Sequence, residues 1–220
     1  MEIKEAIRDR HSVRQYKSYP IPEEMRTALD ELIDACNRES GLHIQLITED
    51  PECFDTLIAH YGRFTNVRNY VALVGPKSMP DLEEKCGYYG QKVVIKAQML
   101  GLNTCWVAGT YSRGKCNADK AAGEKLVCVI AIGFGENAGA KHKSKPLSSL
   151  CDVAEEDMPA WFRTGVKAAM MAPTAVNQQK FHISLEGETP VITAGRGPMA
   201  KIDLGIVKYN FEAASGHACR

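Results

Sequence analysis

A short basic cluster near the start of the chain, Arg10-His11-Ser12-Val13-Arg14, has residues that could bind an anion. In an extended segment alternate side chains point the same way, so Arg10, Ser12 and Arg14 would present two guanidinium groups and a hydroxyl together. That set suits a phosphate monoester, which has a charge of about −1.5 to −2 and three strong acceptor oxygens. A solvated basic turn is the alternative interpretation.

Lys143 and Lys145 form a second basic cluster, in the segment KHKSKPL. The 220-residue chain has 27 Lys and Arg against 27 Asp and Glu, so its net charge is zero. A neutral chain gives no electrostatic reason to expect nucleic acid or an anionic membrane as partner. Any anion must therefore be held locally, and the two basic clusters could converge on one. A solvated loop is the alternative for the second cluster.

Two further segments could border a flat ligand. The strand pattern TCWVAG ends in Ala108 and Gly109, and small residues at a strand end let a ligand approach the backbone closely. The segment APTAVNQQ, residues 172–179, has three consecutive side-chain amides, which could hydrogen-bond a heteroaromatic edge or cap their own turn. A simple strand-to-turn transition is the alternative for the first segment.

Apolar periodicity predicts the elements that position these residues. Helices are expected at 25–36, 51–60, 81–102, 160–171 and 202–214, and strands at 42–48, 69–75, 104–109, 125–133, 181–185 and 191–194. A long loop is expected at 135–159, and the tail after residue 214 is expected to fray. Helices interleave with strands, so the class is α/β or α+β.

An internal similarity relates residues 26–46 to residues 163–185. Each segment opens with Arg-Thr, has an Ala nine residues on and continues to His-Ile, with two extra residues in the second segment. This pattern predicts a duplicated helix-loop-strand unit.

The eight cysteines include no C-x-x-C pair and no compact Cys/His set, so free thiols are expected rather than disulfides or a metal site. A protein that uses these thiols for metal or redox work is a rival hypothesis. The start of the chain lacks the apolar core of a signal peptide, and no apolar run reaches the ~18 residues of a membrane span. These features predict a cytoplasmic protein.

Four motifs together resemble the FMN-dependent nitroreductase family: RHSVRQY, GLNTCWVAG, VIAIGFGE followed by KSKPL, and APTAVNQQ. The last motif lies near residue 172, whereas most members have it after the first helix, so the chain resembles a smaller, divergent subgroup. The resemblance implies an α+β, three-layer α/β/α fold with a mixed central sheet. It also implies a single domain over residues 1–220, with FMN at an interface of two halves.

The resemblance also implies roles for particular residues. The flavin phosphate and ribityl chain would be held by Arg10, Ser12 and Arg14. A second phosphate clamp would consist of Lys143 and Lys145, and the strand end at Ala108 and Gly109 would face flavin N5. The full set of implied cofactor-binding residues is Arg10, His11, Ser12, Arg14, Asn66, Arg68, Ala108, Gly109, Lys143, Lys145, Pro173, Thr174, Asn177 and Gln178. No catalytic side chain and no metal ligand is implied, because the cofactor carries the redox chemistry.

The implied function is reduction of nitroaromatic, quinone or related electrophilic acceptors with electrons from NAD(P)H. Gln179-Lys180 stands where Pro-Trp is usual in the family, which leaves a non-catalytic flavin carrier or sensor as the alternative. The duplicated unit predicts a monomer with one FMN, since one copy could replace the segment that ordinary members take from a second subunit. A homodimer through another surface is the alternative.

Overall fold

The computed structural model describes all residues from Met1 to Arg220 and divides into two compact units. The sheet unit comprises Arg10–Leu82 and Val93–Lys141, and the hairpin unit comprises Met1–Asp9, Glu83–Lys92 and His142–Arg220. No helix has the combination of length and apolar character that crossing a membrane requires.

The chain contains six helices and six strands. The helices are α1 Ile3–Asp9, α2 Glu23–Ser40, α3 Leu57–Tyr61, α4 Leu82–Met99, α5 Ala160–Ala169 and α6 Ala200–Ser215. The strands are β1 His43–Ile47, β2 Tyr70–Pro76, β3 Asn103–Val107, β4 Glu124–Gly133, β5 Phe181–Glu186 and β6 Thr189–Ala194. The predicted α+β class is confirmed.

The sheet unit is built on a four-stranded sheet in the order β1-β2-β4-β3, with every neighbouring pair antiparallel. A parallel bridge between Ser12 and Thr104 adds an extended N-terminal segment beside β3, which gives the sheet its mixed character. The central strands β2 and β4 are buried along most of their length, so their sequences read as near-continuous apolar runs.

Helix α2 shows how local sequence sets an element. It begins after Pro22, with Glu23 and Glu24 in the first turn, where the helix dipole favours negative charge. It ends at Gly41, whose φ of 74° is the left-handed conformation that glycine adopts without strain. Strand β1 follows at once.

The hairpin unit packs α5 against α6 beside the antiparallel β5–β6 hairpin. Gly165 makes the helix contact possible, because a Cβ there would lie 2.5 Å from Cε2 of Phe211. The C-terminal tail does not fray as expected. The backbone N–H of Arg220 donates to Pro190 O (2.9 Å) and Arg220 O accepts from the N–H of Ile192 (2.8 Å), so the tail pairs with β6.

The structure differs from the sequence-based expectation at residues 51–60, where only α3 is helical. The N–H groups of Phe54 and Asp55 both donate to Pro51 O, which makes a turn, and the Thr56 hydroxyl then caps α3 by accepting from Ala59 N. The predicted long loop at 135–159 contains two short 3-10 turns, Leu147–Ser149 and Glu155–Asp157.

The two segments of the internal similarity each contain a helix and a strand, but their matched alanines differ. Ala35 lies inside α2, whereas Ala172 lies beyond the end of α5. Duplication therefore stays a prediction.

Candidate functional site

The segment of residues 10–17 is extended and is fixed on both sides by backbone hydrogen bonds. The N–H of Val13 donates to Thr104 O at the edge of β3 (3.0 Å). On the other side, the N–H of Thr65 donates to Arg14 O (3.0 Å) and Tyr16 N–H donates to Thr65 O (3.1 Å). The backbone that carries the first basic cluster is therefore held rigidly in the sheet unit.

Three side chains of this segment face the buried thiol of Cys105, on β3. Burial raises the pKa of Cys105, while the charge of Arg14, a hydrogen bond with Ser12 and the charge of Arg10 lower it. Arg10, Ser12, Arg14 and Cys105 are called the Arg10 cluster below. It places two guanidinium groups and a hydroxyl around one point, as alternation along the strand predicts.

Arg10 is the unusual member of the Arg10 cluster. Its side chain is only 3% exposed, and its Nε is buried with no hydrogen-bond partner. Burial lowers the pKa of Arg10 to about 10. Buried guanidinium groups are normally paired with an anion, because a buried unpaired charge is costly. The unpartnered Nε fits a ligand oxygen, and a phosphate would supply one.

His11 and Gly139 lock the Arg10 cluster from a neighbouring loop. Nδ1 of His11 lies 3.1 Å from Ala138 O, to which it donates a hydrogen bond. Gly139 has a φ of 71°, and a Cβ there would lie 2.8 Å from Ser12 O. Only glycine fits this close approach without strain.

Asn66 and Arg68 lie in the same unit but are placed differently. Arg68 donates from Nε (2.9 Å) and Nη2 (2.7 Å) to Oε2 of Glu49, so its charge is balanced by a carboxylate. Asn66 is exposed and has a φ of 56°. Neither shows the unpartnered buried donor that distinguishes Arg10.

The end of β3 is open at Gly109, where an added Cβ would meet no atom within 4 Å. Arg113 anchors the loop that follows. It donates to Leu126 O (2.7 Å) and to Val127 O (2.8 Å), and its guanidinium carbon lies 5.6 Å from the centre of the Tyr111 ring. Sequence reasoning missed Arg113, which carries no motif. Gly109 thus has open space beside it, and the loop that follows is rigidly supported.

In the hairpin unit, the second basic cluster is joined to the amide turn. Asn177 Nδ2 (3.0 Å) and Gln179 Nε2 (2.9 Å) both donate to Lys143 O, and Lys145 N–H donates to Gln179 Oε1 (2.8 Å). Nζ of Lys145 donates to Gln178 O (2.7 Å). These side-chain amides therefore hydrogen-bond to the protein's own backbone around the turn, which is the capping alternative that the sequence left open.

Asp203, near the start of α6, accepts two hydrogen bonds from the same turn. Its Oδ1 accepts from Ala175 N–H (3.0 Å) and its Oδ2 accepts from Gln178 Nε2 (2.7 Å). Burial raises the pKa of Asp203, and the two hydrogen bonds lower it. Thr174 closes the turn by accepting from Gln179 N–H (3.0 Å). Sequence reasoning missed Asp203, which lies about one helical turn into α6 and belongs to no motif.

The turn after Pro173 also contains backbone strain. Val176, Asn177 and Gln179 have φ values of 46°, 53° and 45°. A β-branched residue in the left-handed region is an outlier, and such strain concentrates at functional sites. Val176 is also 92% exposed, so packing does not explain its conformation.

The predicted site residues thus form two groups, one in each unit. The sheet unit holds Arg10, His11, Ser12, Arg14, Asn66, Arg68, Ala108 and Gly109. The hairpin unit holds Lys143, Lys145, Pro173, Thr174, Asn177 and Gln178. Their assignment to a cofactor stays a prediction. None of the eight cysteines forms a disulfide, and no group of His, Cys, Asp and Glu is arranged to hold a metal ion.

The fold is that of an α+β protein, and its Arg10 cluster contains a buried guanidinium nitrogen without a hydrogen-bond partner. Residues 2–215 match the model of the family described as "Putative TM nitroreductase", so the chain belongs to that nitroreductase family. The family resemblance inferred from the four motifs is confirmed. No curated protein matches the chain.

Solved structures share the fold. A "putative nitroreductase" from Thermotoga maritima superposes with a TM-score of 0.71 at 20% identity, covering 97% of this chain and 83% of that one. A "putative nitroreductase in complex with fmn" from Desulfovibrio desulfuricans has a TM-score of 0.54 at 19% identity, covering 71% and 98%. A "Putative NADH dehydrogenase/NAD(P)H nitroreductase" from Bacteroides thetaiotaomicron has a TM-score of 0.53 at 16% identity, covering 67% and 95%.

Proposed function

We propose that this chain is an FMN-dependent oxidoreductase that reduces nitroaromatic, quinone or related electrophilic acceptors with NAD(P)H. Family membership over residues 2–215 supports the class, and the Desulfovibrio structure is of a similar fold in complex with FMN. The observation that carries the proposal is the buried, unpartnered Nε of Arg10 in a cluster with a second arginine and a hydroxyl.

In this proposal the Arg10 cluster binds the flavin phosphate. Arg10 donates from a rigid, dry position, Ser12 adds a hydroxyl, and Arg14 adds charge from a more exposed position. Hydrogen bonds from charged donors are about twice as strong as neutral ones, and a dehydrated site strengthens them further. The phosphate would also satisfy the one buried donor of Arg10 that the protein leaves unpaired.

Ala108 and Gly109 would border the ring, because the open strand end lets a flat group approach the backbone. Bound FMN would supply the two-electron chemistry between nicotinamide and acceptor. The protein then has to bind, orient and exclude water, and no side chain has to act as acid or base. The backbone N–H groups near Gly109 would serve as donors to the ring.

Purified protein with FMN should oxidise NADH or NADPH when a quinone or a nitroaromatic compound is added. The rate should depend on FMN, and riboflavin should support less of it at equal concentration because it lacks the phosphate. Matched variants at Arg38, an exposed arginine near the end of α2 and outside the predicted site, should keep the activity. Loss of activity in Arg10 variants with full activity in Arg38 variants would support the phosphate role.

A second candidate is a flavin-binding protein without turnover. The observation in its favour is Gln179, which stands where the family usually has an aromatic-containing pair and is buried at 3% exposure. It is tied to Lys143 and Lys145, so it offers no stacking surface. Tight FMN binding with no reduction by NADH or NADPH would favour this carrier or sensor over the enzyme.

A further inference from the structure

Two cysteines of the sheet unit, Cys53 and Cys116, lie in contact although they are far apart in sequence. Cys53 lies in the turn before α3, and Cys116 follows the short 3-10 turn Arg113–Lys115. The N–H of Ser112 donates to Cys53 O (2.8 Å), which joins the two loops. A side-chain hydrogen bond links the two thiols.

The pair lies in the core of the sheet unit but not equally deeply. Phe54 stacks on Tyr111 with ring centres 6.2 Å apart, and both rings belong to the same buried cluster as the two cysteines. Cys53 is 0% exposed, whereas Cys116 keeps 8% exposure. A small oxidant from solvent would therefore meet Cys116 first.

The polar surroundings separate the two thiols chemically. The hydrogen bond from Cys53 lowers the pKa of Cys116 and outweighs burial, with further lowering from the Ala118 backbone and Lys120. The same contact with Cys116, together with burial, raises the pKa of Cys53. The hydroxyl of the neighbouring Tyr70 gives its one proton to Asp50 Oδ2 (2.5 Å) and accepts from Asn117 N–H (2.9 Å), which fixes this side of the pair.

Three other thiols lack this activation. Burial raises the pKa of Cys105, Cys151 and Cys219. Cys219 is the most accessible cysteine, yet the neighbouring Glu212 raises its pKa further. Because the thiolate is the nucleophile, reactivity should follow thiolate character rather than exposure alone.

We propose that Cys53 and Cys116 form a redox pair that hydrogen peroxide converts into a reversible disulfide. The thiolate of Cys116 attacks one peroxide oxygen, the O–O bond breaks, and the departing hydroxide takes up a proton to give water. Cys116 is then a sulfenic acid. The sulfur of Cys53 then attacks the Cys116 sulfur and gives up its proton to the departing oxygen, so the S–O bond breaks and a second water leaves. In total, two thiols and one hydrogen peroxide give one disulfide and two waters.

The geometry suits this step. The two thiol side chains are neighbours that already interact, and their sulfurs have to approach to the ~2.05 Å of an S–S bond. The disulfide would link the turn before α3 to the loop that follows β3. This inference stands apart from the proposed cofactor, since neither cysteine belongs to the Arg10 cluster.

The full-length protein, reduced and then treated with increasing hydrogen peroxide, tests the proposal. Free thiols are alkylated and the unreduced protein is digested and mapped by mass spectrometry. The first product should be an intramolecular Cys53–Cys116 cross-link, formed before Cys219 is oxidised, and dithiothreitol should reverse it. Oxidation of Cys219 or another cysteine first, or a disulfide between two chains as the first product, would overturn the proposal.

Single variants resolve the order of the steps. In Cys53→Ser, Cys116 should stop at the sulfenic acid and be trapped by dimedone. In Cys116→Ser, peroxide consumption should slow by roughly tenfold or more, since thiolate fraction changes about tenfold per pKa unit. Cys219→Ser is the matched control and should react like the wild type. If a variant fails to fold by circular dichroism, the wild-type map decides alone.

Discussion

Replacing Arg10 with Met should stabilise the ligand-free protein while weakening its binding of FMN. Burial lowers the pKa of Arg10 from 12.5 to about 10. At 1.36 kcal/mol per pKa unit, that difference of 2.5 corresponds to a cost of roughly 3 kcal/mol for keeping the charge in the ligand-free fold. Methionine has a similar length and no charge, so Arg10→Met should recover part of this, about 1–3 kcal/mol.

The affinity for FMN should fall in Arg10→Met even though the ligand-free protein becomes more stable. Loss of a charge-assisted hydrogen bond worth ~1.5–3 kcal/mol corresponds to roughly 10- to 150-fold weaker binding of FMN. Riboflavin, which lacks the phosphate, should lose far less. Arg14→Ala should weaken FMN to a similar or smaller extent without stabilising the free protein, because Arg14 is exposed.

Two measurements check the prediction: urea unfolding of the ligand-free variants, and titration of each with FMN and riboflavin. Equal weakening of both flavins in Arg10→Met would refute the phosphate assignment. A destabilised ligand-free Arg10→Met would refute the reasoning that its buried charge lacks a partner.

Four further outcomes follow from the structure. In urea melts, Gly139→Ala should lower the free energy of unfolding by about 1–2 kcal/mol, because φ is positive and the new Cβ would press on Ser12 O. The control Gly114→Ala, where the added Cβ has open space, should change the free energy of unfolding by less than about 0.5 kcal/mol. Val176→Gly should raise it by about 0.5–1 kcal/mol and Val176→Ala should not, since only glycine removes the left-handed strain. A hydrogen bond with His43 lowers the pKa of Glu124 below 4.5. The stability that this carboxylate contributes is therefore present above pH 4.5 and is lost as the pH falls through the lowered pKa. Urea melts across this pH range should show the loss of stability in the wild type but not in Glu124→Gln. Light scattering should find a monomer, and a strict dimer that loses its flavin on dilution would contradict the duplication argument.

Most elements could be predicted from the sequence because their signals are local. The charges after Pro22 and the left-handed Gly41 delimit α2, and the apolar runs of β2 and β4 reflect burial on both faces. Within the helix predicted over residues 51–60, Cys53 and Phe54 lie instead in the turn before α3. Their burial in a turn depends on distant partners such as Tyr111, which no local pattern reports.

The sequence predicts which residues of the candidate site lie side by side, but it does not predict which of them are buried. Alternation along residues 10–14 predicts that Arg10, Ser12 and Arg14 face one way, and all three face Cys105. The sequence does not reveal that Arg10 is buried and Arg14 exposed, because that depends on how β3 and the loop at Gly139 cover the segment. Contacts across long sequence separations are decided by tertiary packing rather than by spacing.

The central claim is that this chain binds FMN through its phosphate, and one measurement addresses it most directly. The purified protein is saturated with FMN, freed of excess ligand and denatured, and the released flavin is counted per chain and identified by chromatography. We predict one FMN per chain, retained against a competing excess of riboflavin. No retained flavin, or exchange of FMN for riboflavin in proportion to their concentrations, would contradict the account.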